Sequence, residues 1–182
     1  MIIDVQQCFD PSYEILDKVL EYSSNYSNII YVYDVLNESK GFNDMWDEMY
    51  FAYEEGTFDP NHIISKEYAF FRNLMDEGYP DEFIVELGKF MIKYGLYDAR
   101  EIYEEENYLH EDFQKICDKH LVEEPDFESL TFYLTDLKDD LDGKVFNGVV
   151  LVGGGRDECL KEVALLLDIM DIKYSIEESL CY

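Results

Sequence analysis

The sequence predicts an α/β fold, a parallel sheet with helices packed against it, and two observations carry that expectation. Both ends of the chain read strand–helix–strand, over residues 1–35 and 145–182. The segments NIIYVYDV (28–35) and VFNGVVLV (145–152) are continuous apolar runs, not alternating ones. Such runs suit strands buried on both faces of a parallel sheet, which needs helical crossovers between its strands.

The first strand is the opening apolar stretch that ends at Asp4. A helix follows over 12–24, where Tyr13, Leu16, Val19 and Leu20 recur at helical spacing, with Asp10 or Ser12 as cap and Pro11 in the first turn. The second strand is 28–35. From about 42 to 120 the pattern is mostly helical and acidic. Met45, Met49 and Tyr53 lie four apart, helices are expected over 67–77 and 81–94 around Gly78–Tyr79–Pro80, and weaker ones over 98–106 and 110–120. A short acidic helix or turn covers 137–141. The strand at 145–152 then runs into Gly153, Gly154 and Gly155, a helix over 157–170 and a last strand over 173–182. The whole is expected to be a single α/β domain, 1–182, carrying a mostly helical acidic insertion at about 42–130.

At 182 residues, 47% hydrophobic and 16% aromatic, the chain has the composition of a folded domain. Its charge is the outlier: 42 acidic against 14 basic residues, net −28. A field of that sign repels nucleic-acid phosphates and anionic membranes, and favours cations and basic proteins. A solvated acidic surface and a mimic of nucleic-acid charge are both open readings. No apolar run is long enough to span a bilayer and no secretory leader is evident, so Cys8, Cys117, Cys159 and Cys181 are expected as reduced thiols in a cytoplasmic protein. Their spacing, and that of His62, His110 and His120, does not form a zinc pattern.

Open parallel sheets hold their sites at the carboxyl ends of strands. Asp4 and the GGGRDEC turn fall there. Successive glycines bring backbone N–H groups close to a ligand, and Cys159 at the start of a helix gains thiolate stabilisation from the helix dipole. Gly154, Gly155 and Arg156 are the candidate substrate-binding residues. A buried structural cysteine is the alternative reading of Cys159, because free cysteines are among the most buried residues. The turn is neither a Walker loop nor a GxGxxG loop.

Two motifs together resemble the isochorismatase-like cysteine hydrolases. The opening IIDVQQCF is similar to their first strand ending in D-x-Q-x-x-F, and VVLVGGGRDECL to their apolar strand followed by G-x-x-[ST]-[DN]-x-C. Arg156 stands where that family has a small hydroxyl residue. The resemblance covers roughly 1–38 and 145–182, with a short piece at 63–74, and implies a three-layer α/β/α fold. It also implies a Cys-Asp-Lys triad: Cys159 as nucleophile, Asp4 as acid/base and Lys66, in IISKEYAF, as the lysine. A rival alignment through Phe132, Thr135, Asp136 and Leu137 leaves no lysine and a dead site. The D-x-H metal pattern of nicotinamidase-type members is missing, as Val35, Leu36 and Asn37 follow Asp34, so no metal and no cofactor are expected. The expected activity is hydrolysis of a small amide or similar carbonyl substrate by a homo-oligomer. The other readings are a catalytically silent scaffold, or an acidic interaction protein with a basic protein partner.

Overall fold

The computed structural model describes residues 1–3, 13–34, 56, 62–66, 72–104, 108–130, 138, 141, 143–144, 146 and 148–182. Five strands form one sheet: β1 (Ile2–Ile3), β2 (Ile30–Asp34), β3 (His62–Lys66), β4 (Val149–Gly153) and β5 (Tyr174–Ile176), in the order β3-β2-β1-β4-β5. All four pairings are parallel. Ile2 lies opposite Tyr31 and Val152, and Ile3 opposite Val32 and Gly153, so β1 is the centre of the sheet. The chain moves outward from β1 to β2 and β3, then returns to the other side of β1 as β4. The strand order therefore reverses between β1 and β4, the position at which open parallel sheets generally bind ligands, outside the carboxyl ends of the strands.

The chain divides into two compact units. The first comprises Met1–Tyr68, Val145–Ala164 and Lys173–Tyr182; the second comprises Ala69–Lys144 and Leu165–Ile172. In the first unit, α1 (Tyr13–Ser23) contributes Val19 to a core with Ile2, Tyr31, Val152 and Leu180. Consecutive strand residues point to opposite faces, and Ile2 and Ile3, Tyr31 and Val32, and Leu151 and Val152 are all buried. Both faces of the sheet are therefore covered, which is why β2 and β4 read as unbroken apolar runs.

The second unit holds α2 (Arg72–Asp76), α3 (Asp81–Tyr94), a 3₁₀ turn (Ala99–Tyr103) and α4 (His110–His120). Pro80 precedes α3, Asp81 and Glu82 favour its positive end, and Gly95 at φ +70° closes it by donating to the carbonyls of Ile92 and Met91. Phe83, Phe90, Tyr103, Phe113 and Phe127 form its aromatic core, with neighbouring centroids 5.8–6.4 Å apart. The helix α5 (Cys159–Ile169) starts in the first unit and ends in the second.

The helices expected at 81–94 and 110–120 have those bounds, and those at 12–24 and 157–170 appear as α1 and α5. In place of the helix expected over 98–106, Ala99–Tyr103 form a 3₁₀ turn, held by a capping box between Asp98 and Glu101, and residues 105 and 106 lie outside the described residues. β3 lies inside the stretch read as mostly helical, so at 62–66 that expectation is corrected. HIISK takes its strand character from pairing, because it lines up over five residues with β2. The stripe Met45, Met49 and Tyr53, the caps Asp10 and Ser12, and the rival motif at 132–137 lie outside the described residues.

Candidate functional site at the carboxyl edge of the sheet

The reversal point is built by the glycine turn after β4. Gly153 and Gly154 have φ of +88° and +45°, conformations that side chains rarely adopt. A Cβ at Gly154 would stand 3.3 Å from the carbonyl oxygen of Ile3 and 3.3 Å from the amide nitrogen of Leu160. The turn therefore lies directly against the end of β1, at the residue before Asp4. Glu158 and Leu160 donate to the Gly155 carbonyl at 3.0 and 3.1 Å, which winds the chain into α5. Arg156 N–H donates to the Tyr182 carbonyl (3.0 Å) and Tyr182 N–H to the Gly154 carbonyl (3.4 Å), so the segment after β5 straps the turn.

Cys159 is the first residue of α5, half-buried and in no disulfide. It stands where the unpaired amides of a helix start favour a thiolate. Asp4 lies outside the described residues; the strand it follows ends at Ile3, opposite Gly153. Lys66 is the last residue of β3, its main chain opposite Asp34 of β2. At the usual strand spacing β3 lies about 14 Å from β4 across the sheet. The topology thus brings the strands of Asp4 and Cys159 side by side and sets that of Lys66 two strands beyond β1.

Arg156, a candidate for substrate binding, is engaged within the chain: both terminal nitrogens reach the Glu178 carboxylate at 2.9 Å. Gly154 and Gly155 form the turn itself.

Two residues near this edge escaped the sequence reading. Glu162, one turn into α5 on the same side as Cys159, is only 1% exposed. No local signal marked it: beside Lys161 in CLKEVALLLDI, a carboxylate at 162 reads as solvent-facing. Cys181 follows β5, the neighbour of β4, and its Sγ donates to the Glu177 carbonyl at 3.4 Å. Burial and then the Glu178 carboxylate push the Cys181 thiol up, against a hydrogen bond from the Gly153 amide and the charge of Arg156. In the second unit the Cys117 thiol is pushed up to about 11, by burial first and then by Glu124 and Asp118.

Among the described residues no three His, Cys, Asp or Glu side chains gather as a metal site, and no helix is long and apolar enough to cross a membrane. Comparison with family models, curated proteins and solved structures finds no match.

Proposed function

We propose that the chain is an isochorismatase-like cysteine hydrolase of three-layer α/β/α architecture. In this reading it is cytoplasmic and oligomeric, and it cleaves a small amide or similar carbonyl compound. The observation that supports this most is the approach of Gly154 to the Ile3 carbonyl, which sets the cysteine-bearing turn beside the strand that leads into Asp4.

In this mechanism the Cys159 thiolate attacks the carbonyl carbon, and the electron pair of the C=O bond moves to oxygen. The N–H groups of Arg156, Glu158 and Leu160 are taken by carbonyls of Tyr182 and Gly155, so the amides of Gly155 and Asp157 are the candidate oxyanion donors. Collapse of the tetrahedral species breaks the C–N bond, and Asp4 delivers the proton to the leaving amine. The Asp4 carboxylate then takes a proton from water as its oxygen attacks the thioester, which releases acid and thiolate. Lys66 supplies the positive charge that keeps Cys159 ionised.

A second reading, a catalytically silent scaffold that binds a basic protein, is favoured by Arg156 being neutralised by Glu178 and by the net charge of −28. Iodoacetamide labelling of Cys159 as a function of pH separates the two. The hydrolase reading expects labelling to persist well below the pH at which an ordinary thiol, near about 8.5, loses its thiolate. It also expects Lys66→Met to move the profile upward. A Cys159 that labels like an ordinary thiol, indifferent to Lys66→Met, sinks the enzyme.

A further inference from the structure

The candidate site at Cys159 uses the carboxyl ends of the strands. The opposite edge of the same sheet carries a second concavity, within the first unit, of about 300 Å³. Ile2 of β1, Ile30 of β2 and Val150 of β4 contribute to its walls, with Phe146 alongside, and Tyr22 and Tyr26 stand on the α1 side. We propose that this cavity is a binding site for a small uncharged one- or two-ring molecule that carries a hydroxyl group.

Size and chemistry set the ligand class. Pockets for small molecules begin at about 300 Å³, and a cavity of about 150 Å³ already accepts benzene. Aliphatic strand residues, Ile2, Ile30, Val149, Val150 and Val152, make up part of the walls, so an occupant gains from burying apolar surface. Polar side chains line it too: Ser27, Asn28 and the pair Tyr22 and Tyr26. The Tyr22 and Tyr26 rings sit 5.3 Å apart, and the Tyr26 hydroxyl donates to that of Tyr22 at 2.9 Å. That bond leaves the Tyr22 proton and the lone pairs of Tyr26 for a ligand hydroxyl.

Two of the neighbouring polar groups are already engaged. Ser23 Oγ donates to the Leu20 carbonyl at 2.8 Å, and the Met1 amine to the Val150 carbonyl at 2.6 Å. Its hydrogen bond with Tyr26, with burial behind it, pushes the Tyr22 hydroxyl up to about 12, so Tyr22 stays neutral at pH 7. Among the described residues no carboxylate lines the cavity to hold a cation. The chain's charge of −28, including Glu177 acting on Tyr22, opposes an anion. The occupant is therefore uncharged.

The test is a titration of the ¹⁵N-labelled full chain with 2-naphthol, with naphthalene-2-carboxylate as the anionic control, read from amide shifts. Expected are saturable shifts at Ile2, Ile30 and Val150, with naphthalene-2-carboxylate at least tenfold weaker. Tyr26→Phe, which deletes one hydroxyl and little volume, weakens 2-naphthol binding by about two- to tenfold, the range for one hydrogen bond. Ile29→Trp fills the cavity and abolishes binding. Cys159→Ser leaves binding unchanged, which separates this site from the proposed hydrolase. Absence of saturation, shifts centred on Gly153 to Leu160, equal binding of the carboxylate, or a Tyr26→Phe chain that binds as tightly as the parent would each overturn the proposal.

Discussion

Gly154 packs tightly against the Ile3 carbonyl: a Cβ there would lie 3.3 Å from that oxygen, so a side chain would force its neighbour to give by a few tenths of an ångström. The contact seats the glycine turn against the central strand. Its backbone φ of +45° adds a second reason for glycine. Gly154→Ala is therefore expected to destabilise the chain by about 1–2 kcal/mol, the cost of a left-handed residue with a Cβ, plus whatever the displaced turn loses. Urea unfolding measures it. Labelling of Cys159 should change in the same variant, because the turn positions the start of its helix. An alanine variant of unchanged stability and unchanged labelling would mean the turn is looser than its geometry states.

Gly88 faces Ile169 in the second unit, and a Cβ at position 88 would sit 2.4 Å from Ile169 Cδ1. In an open helix Gly→Ala gains about 1 kcal/mol of helix propensity. Here the overlap outweighs it, since overpacking a core costs about 1–3 kcal/mol. Gly88→Ala is expected to destabilise, Ile169→Ala to destabilise through a cavity, and the double variant to be less destabilised than the sum. A double-mutant cycle in urea reads this coupling, and strict additivity would show that Ile169 simply swings aside.

Acid stability has a specific contributor in Glu86. Its carboxylate accepts from Lys119 Nζ at 2.5 Å and from His120 Nε2 at 2.7 Å. Burial pushes its carboxyl up, but the hydrogen bonds and charges of Lys119 and His120 outweigh that and hold it below the ordinary glutamate value. A depressed carboxyl contributes stability that is present above its unfolded range and is lost as pH falls through the folded value. The urea midpoint of the parent chain should therefore fall between pH 5 and pH 3 more steeply than that of Glu86→Gln, the two curves converging in acid. Parallel curves would remove Glu86 as the cause.

The central strands and long helices were legible because their signals are local. Apolar runs mark β2 and β4, and Pro80 and Gly95 punctuate α3. β3 was hidden because five residues, HIISK, acquire strand character only by pairing with β2. At the candidate site, the place of Cys159 at the start of a helix was legible from three glycines before an apolar helical pattern. The engagement of Arg156 by Glu178, 22 residues away, was not, because the pair exists only once β5 lies beside β4. Glu162 was hidden for a related reason: a carboxylate in a helix reads as solvent-facing until both sides of that helix are covered.

The pair Arg156–Glu178 offers a prediction that separates charge from packing. Both side chains are more than half exposed, at 60% and 52%. Exposed pairs contribute about 0–1 kcal/mol, so Arg156→Ala should barely alter the urea midpoint. The two charges act on Cys181 in opposite senses, Glu178 raising its thiol and Arg156 lowering it, both behind the larger effect of burial. Arg156→Ala should therefore slow alkylation of Cys181 at pH 8.5, because less of it is thiolate, and Glu178→Gln should speed it. The double variant should fall near the parent. If loosening of the strap between Tyr182 and the glycine turn governed reactivity instead, both single variants would label faster. Peptide-resolved mass spectrometry of the labelled chain distinguishes opposite signs from equal ones.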